Sequence, residues 1–179
     1  MADYKTLDDL FAAVSLDGLR VLVRADLNVP MQDGKVSDAT RIERVAPTLT
    51  ELAGHGAKVI VLSHFGRPKG APEEKYSLKP VAEALGAHVG VAVSFAEDCV
   101  GDKAANAAEA MKPGTILVLE NTRFHAGEEN NDPAFAEALA GIGNVYINDA
   151  FSCAHRAHAS TEGITPFLPS YPGPPMQPA

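Results

Sequence analysis

The chain of 179 residues has no tryptophan, two cysteines (Cys99 and Cys153) and an aromatic share of only 6%. Two cysteines without a CxxC spacing exclude a disulfide framework and a dithiol redox motif. No run comes near the roughly 18 consecutive apolar residues that a membrane-spanning helix needs. The N-terminus, MADYKTLDDLF, has acids where a secretory leader needs basic and then apolar residues, so a cytoplasmic location is expected. Positive charge is scarce as well. Fifteen Lys+Arg against 23 Asp+Glu give a formal charge of -8, which argues against nucleic acid and anionic membranes as partners. The GxxxxGK[ST] of a phosphate-binding P-loop is missing, and no GxGxxG follows a strand-like run.

What remains is an ordinary globular composition, 46% hydrophobic and 21% charged, with a length that suits one domain. Apolar runs of strand length recur at 19–23, 59–62, 89–93, 116–119 and 145–147. They carry Val, Ile and Leu without polar alternation, as strands covered on both faces do. Helix-period segments lie between them. In 38–51 the residues Ile42, Val45, Leu49 and Leu52 share a face, and Gly54 and Gly56 follow as stops. The segment 77–85 carries Leu78, Val81, Ala82 and Leu85, and 98–111 is an alanine-rich helix ended by Pro113-Gly114. Asp132-Pro133 reads as an N-cap with proline at the first helical position, and Phe135, Ala138 and Leu139 as the buried face behind it. This alternation predicts an α/β fold: a doubly wound (Rossmann-like) parallel sheet with helices on both faces, in three layers. From Thr165 onward six of the 13 prolines crowd the sequence, so the tail is expected to be extended or disordered, with domain residues 1–168 and tail residues 169–179.

Ligands of open α/β sheets bind outside the carboxyl ends of the strands. Four predicted strands end in polar loops: Arg24, Asp26 and Asn28 after the first, His64, Phe65, Gly66 and Arg67 after the second, Glu120, Asn121 and Arg123 after 116–119, and Asp149, His155, Arg156 and His158 after the last. Of seven arginines, four (Arg24, Arg67, Arg123, Arg156) sit at or just past strand ends, and Arg41 opens the helix after the first loop; the eight lysines read as lying on helices and turns. A guanidinium is a rigid fork that matches carboxylate and phosphate oxygens, whereas an ammonium is a point charge. The pattern points to an anion-binding edge; the alternative is that each arginine pairs with a nearby acid such as Asp26, Glu120 or Asp149. His155 and His158 stand i, i+3 but lack a third ligand of suitable spacing, so no metal is expected. Cys153 reads as a small filler, with a nucleophile as the alternative.

The segments RADLNVP (24–30), DATRIERVAPTL (38–49), SHFGRPKG (63–70), LENTRFHAGEENND (119–132) and NDAFSCAHRAHASTEGI (148–164) resemble the N-terminal domain of phosphoglycerate kinases, in that family's order and over nearly the whole chain. The resemblance implies a phosphotransferase with a carboxyl-group acceptor, working between 1,3-bisphosphoglycerate with ADP and 3-phosphoglycerate with ATP. Carried over motif by motif, Asp26 and Asn28, with Leu27 between them, hold the glycerate end of the substrate. Arg41 is the catalytic arginine that bridges toward the transferred phosphoryl group. His64, Phe65, Gly66 and Arg67, with Arg123 and Arg156, surround the non-transferred phosphate, and Arg24, His155 and His158 complete the positive field. The family's nucleotide domain, which binds Mg-ATP or Mg-ADP, has no counterpart in these residues. The expectation is therefore a monomer that binds no cofactor of its own, either half of an enzyme whose other half complements it or a 3-phosphoglycerate-binding module inactive by itself.

Overall fold

The computed structural model describes residues 7–149 and 157–172. Along the chain come α1 (Leu7–Ala13), β1 (Arg20–Arg24), β2 (Met31–Gln32), β3 (Lys35–Val36), α2 (Thr40–Gly54), β4 (Lys58–Leu62), α3 (Lys79–Gly86), β5 (Val93–Ala96), α4 (Gly101–Glu109), β6 (Ile116–Leu119), α5 (Ala126–Glu129), α6 (Pro133–Ala140), β7 (Val145–Asn148) and β8 (Ser170–Pro172). Six strands form one parallel sheet in the order β5-β6-β4-β1-β7-β8, and β2 and β3 form a separate antiparallel hairpin.

Each central strand is apolar on both faces, and its alternation divides the core in two. Val21, Val23, Val59, Val61, Ile116, Val118, Val145 and Ile147 pack toward Ile42, Leu49 and Leu52 of α2 and Val81 and Leu85 of α3. Leu22, Ile60, Leu62, Leu117, Leu119 and Tyr146 face the other way, toward Ala104 and Ala108 of α4 and Phe135, Ala136 and Leu139 of α6. The expected three layers are therefore present. Crossovers that step from β1 toward β5 carry α2 and α3, and those that step back carry α4 and α6, as a uniform right-handed crossover requires.

Local chemistry explains the boundaries. Asp132 Oδ2 accepts from the Phe135 N–H and caps α6, with Pro133 at the first helical position. Gly56, at φ +85, turns the chain out of α2 into β4. Asp33 and Gly34, both at positive φ, make the tight hairpin turn between β2 and β3.

Several expectations are corrected. The fifth strand is β5, not 89–93: the ladder runs from Val93 opposite Ile116 to Ala96 opposite Leu119, so pairing with β6 rather than the apolar run sets its limits. On α6 Ala138 is exposed, and Ala136 and Ala140 join Phe135 and Leu139 in the core. Two lysines lie on strands, Lys35 in β3 and Lys58 at the start of β4. The sheet also crosses the expected boundary at 168/169. Residues Thr165–Phe167 make a 3₁₀ turn, and Ser170–Pro172 pair with Tyr146, Ile147 and Asn148, an edge position that tolerates proline. The rest of the tail, 173–179, lies outside the described residues.

Tyr171, buried in β8, makes the edge strand part of the core. A chain ending at Leu168 is expected to lose about 1.5–3 kcal/mol from that burial alone. Equilibrium urea unfolding measures it, and an unchanged midpoint would show the edge strand to be dispensable.

Candidate functional site

Because β1, β4, β6 and β7 are parallel neighbours, their following loops meet on one edge of the sheet. That edge includes the point where connections diverge, β1 leading toward β4 and β7 toward β8.

The loop after β1 is pinned by alternation. Leu27 and Val29 are buried in the core, which leaves Asp26 and Asn28 partly exposed between them. Ser63 Oγ accepts from the Leu27 N–H at 3.0 Å, and Asn28 Oδ1 accepts from the Gly66 N–H at 2.9 Å, so the loops after β1 and β4 are tied together. With Oδ1 engaged by that bond, the Asn28 amide keeps its two N–H donors.

Asn121 grips the loop after β4 from below. Its Oδ1 accepts from the Phe65 and Arg123 N–H groups at 3.2 and 3.0 Å, and its Nδ2 donates to the Phe65 and Tyr76 carbonyls at 2.6 and 3.0 Å. Gly66 stands at φ +62 with the Tyr76 ring where a Cβ would be, 2.3 Å away, so no other residue fits without a shift.

The arginines divide by depth. Arg41 is 46% exposed at the head of α2, with Nε 3.6 Å from Asp26 Oδ2 and Nη1 donating to the Asn28 carbonyl. A shallow recess beside it is lined by Asn28, Pro30, Asp38, Thr40, Arg41 and Arg44. Arg67 is exposed and makes no hydrogen bond or ion pair among the described residues. Arg123 is nearly buried, its Nη1 donating to the Gly66 carbonyl at 3.2 Å and its Nε 4.0 Å from Glu129. Arg24, expected to complete the positive field, is fully buried, and its guanidinium is bonded to Ser160, Ala25 and His64. His64 is also buried, beneath the loop that carries Phe65 and Gly66. His158, half-buried, leads into the helical turn Ala159–Gly163. His155, Arg156 and Cys153 lie outside the described residues, so the structure brings together Arg41, Arg67 and Arg123 of the five expected arginines.

The acids behave differently from the pairing alternative. Asp26 does take Arg41, but Glu120 accepts from Ser77 Oγ and the Leu78 and Asn121 N–H groups, seating the start of α3. Asp149 is held up at about 6, above its ordinary 3.8, by burial. Sequence reading placed Asn121 in a strand-end loop without a positioning role and missed Glu128 and Ser160, so three buried polar residues that position the loops went unassigned. All three lie inside the motifs quoted above, and an uncharged partner such as Ser160 carries no charge signal.

Among the described residues Asp98, Cys99 and His125 bring one potential metal-ligating atom each within 4.8 Å of one another. Asp98 Oδ1 already accepts from the Cys99 N–H at 2.7 Å and pairs with His125 Nε2 at 2.8 Å, and burial pushes the Cys99 thiol far up. The trio thus serves as a hydrogen-bonded junction between the starts of α4 and α5.

Residues 11–178 match the model of the family described as phosphoglycerate kinase. The phosphoglycerate kinase of Methylobacterium radiotolerans is 64% identical over 177 residues, 99% of this chain and 44% of that protein. That of Rhodospirillum centenum is 63% identical, over 97% of this chain and 43% of its own. Among solved structures, the phosphoglycerate kinase of Coxiella burnetii superposes with a TM-score of 0.81 at 36% identity, over 91% of this chain and 41% of that one. The enzyme from Pyrococcus horikoshii gives 0.82 at 31% identity, over 95% and 42%. The chain spans a little under half the length of these relatives.

The partly buried carboxyl of Asp149 sets a pH dependence. Folded, it keeps its proton up to about pH 6; unfolded, it releases it near 3.8, so stability falls as pH rises between those values and the whole loss is present above them. Asp149→Asn is expected to stabilise the chain at about pH 8 and to leave it little changed at about pH 4. Urea unfolding at both values checks this, and an equal effect at both would overturn the assignment.

Proposed function

Because the chain belongs to the phosphoglycerate kinase family, we propose that it carries the phosphoglycerate-binding half of a glycolytic kinase, which moves a phosphoryl group between 1,3-bisphosphoglycerate with ADP and 3-phosphoglycerate with ATP. The observation that carries this reading is the strand-end edge itself: exposed Arg41 and Arg67 and the deeper Arg123 border loops whose Asp26 and Asn28 are fixed in place.

Each side chain then has a task that its bonding permits. Asn28 donates from its amide to the glycerate carboxylate, and Asp26 accepts from the glycerate hydroxyl. Arg67 and Arg123, with Arg156 and the ring of His64, hold the non-transferred phosphate; Phe65 and Gly66 shape the wall beside it. Arg41, on the rim, reaches the group being transferred and neutralises its charge. An arginine so placed is worth about 10³–10⁵ in rate in analogous phosphoryl transfers. On this reading Mg-ATP or Mg-ADP falls to the part of the family's length that these residues do not span, and a cytoplasmic monomer is the setting we expect. For the 179 residues taken alone, the partial coverage of the relatives favours a binding module without turnover, since catalysis needs both reactants held together.

Titration with 3-phosphoglycerate followed by amide NMR tests the reading. A dissociation constant on the order of 0.1–1 mM is expected for an open, unclosed site. Arg67→Ala should weaken binding by about 1.5–3 kcal/mol, as loss of a charge-assisted contact does. Arg41→Ala should cost less, because its partner is a phosphoryl group that 3-phosphoglycerate lacks. Shifts that bypass the loops after β1, β4 and β6, or an Arg67→Ala chain that binds as well as the parent, would sink it.

A further inference from the structure

Arg24 ends β1 with a side chain that solvent does not reach, in a residue type that stays charged at any ordinary pH. Each of its three nitrogens donates: Nε to Ser160 Oγ at 2.8 Å, Nη1 to the Ala25 carbonyl at 2.5 Å and Nη2 to His64 Nδ1 at 2.7 Å. Ser160 is held in turn. The fully buried Glu128 accepts from its backbone N–H at 2.7 Å and from its hydroxyl at 2.6 Å, and its carbonyl accepts from the Tyr146 hydroxyl at 2.6 Å.

The direction of every bond in this chain is forced. A carboxylate only accepts, so the Ser160 proton goes to Glu128 and its oxygen faces Arg24 with lone pairs. A guanidinium only donates, so His64 Nδ1 accepts, and a neutral imidazole that accepts at Nδ1 carries its proton on Nε2. The other tautomer would set an N–H against the guanidinium N–H in a buried space, with neither satisfied.

We propose that Arg24, braced by Ser160 and Glu128, is a positioning residue that holds His64 in one ring orientation as the Nε2–H tautomer, so that His64 meets the anion as a neutral N–H donor. The proposal deepens the phosphoglycerate reading and rests on it for the identity of the anion. Arg24 touches no ligand; its effect passes through the imidazole. The same bonds lock the loop after β4 to α5 and to the turn after β7, three segments that border the site. Lysine cannot replace it, because one ammonium lacks the planar fork that reaches Ser160 and His64 together.

Imidazole nitrogen NMR of the 179-residue chain, with His64 assigned through His64→Gln, reads the tautomer before any ligand is added. Protonated Nε2 and unprotonated Nδ1 are expected in the parent, and mixed nitrogen signals in Arg24→Lys, which keeps the buried charge. Ser160→Ala, which removes the brace and leaves Arg24 in place, should also mix the tautomers and stands in if Arg24→Lys does not fold by circular dichroism. Binding of 3-phosphoglycerate should weaken about tenfold in Arg24→Lys but not change further when the same substitution is made on His64→Ala, as coupled residues behave. A parent His64 protonated on Nδ1, unchanged spectra in both variants, or equal losses with and without His64 would overturn the proposal. If the parent chain binds no 3-phosphoglycerate while the nitrogens behave as stated, the ligand reading falls and the tautomer claim stands on the spectra.

Discussion

A guanidinium cannot shed its charge on burial, so the fully enclosed Arg24 commits its whole surroundings to supplying acceptors. The acceptors come from separate parts of the sequence: the next peptide carbonyl, His64 after β4 and Ser160 after β7, with Glu128 of α5 bringing the opposite charge through Ser160. Removing one acceptor leaves part of a buried charge unsatisfied, at a cost of about 1–3 kcal/mol or more, which makes the arrangement a strong constraint on geometry. Four connections are thereby fixed to one another just beneath the edge where Arg41 and Arg67 stand exposed.

An acidic chain can keep a locally basic edge only if the acids near it are occupied elsewhere. Glu120 is spent on the N-terminal end of α3 and Glu128 on Ser160. Asp38 turns back on Thr40, whose hydroxyl and N–H hold its carboxyl below the usual range. Among the described residues Asp26 lies 3.6 Å from Arg41 and Glu129 4.0 Å from Arg123. The net charge of -8 and a cationic recess therefore coexist without contradiction, because formal charge counts acids that hydrogen bonds to the backbone have already claimed.

The architecture was legible because two-sided burial leaves a plain mark, as in the Val21–Val23 and Val59–Leu62 runs, and because Asp132-Pro133 and Gly56 act locally. The strand at 89–93 was misplaced because register is decided by the partner strand, which the run itself does not contain. The two-residue strands at the Asp33-Gly34 turn were passed over although that dipeptide is a hairpin signal. Arg24 misled for a different reason. Position at a strand end suggests a loop-facing side chain, yet pleating puts Arg24 on the face of Leu22, toward Tyr146 and the α5–α6 side, where it is enclosed.

That alternation also explains why arginines of one motif set do different work. Arg24 belongs to a strand, so the pleat decides its direction and sends it into the core layer. Arg123 belongs to a 3₁₀ turn and lies half-way, one nitrogen on the Gly66 carbonyl and little of it in solvent. Arg41 starts a helix and Arg67 follows a left-handed glycine, and both project outward. The element that bears the residue, rather than its type, sorts buried scaffold from exposed edge: the guanidinium on the strand braces the loops, and those at the helix start and after the glycine stand at the surface.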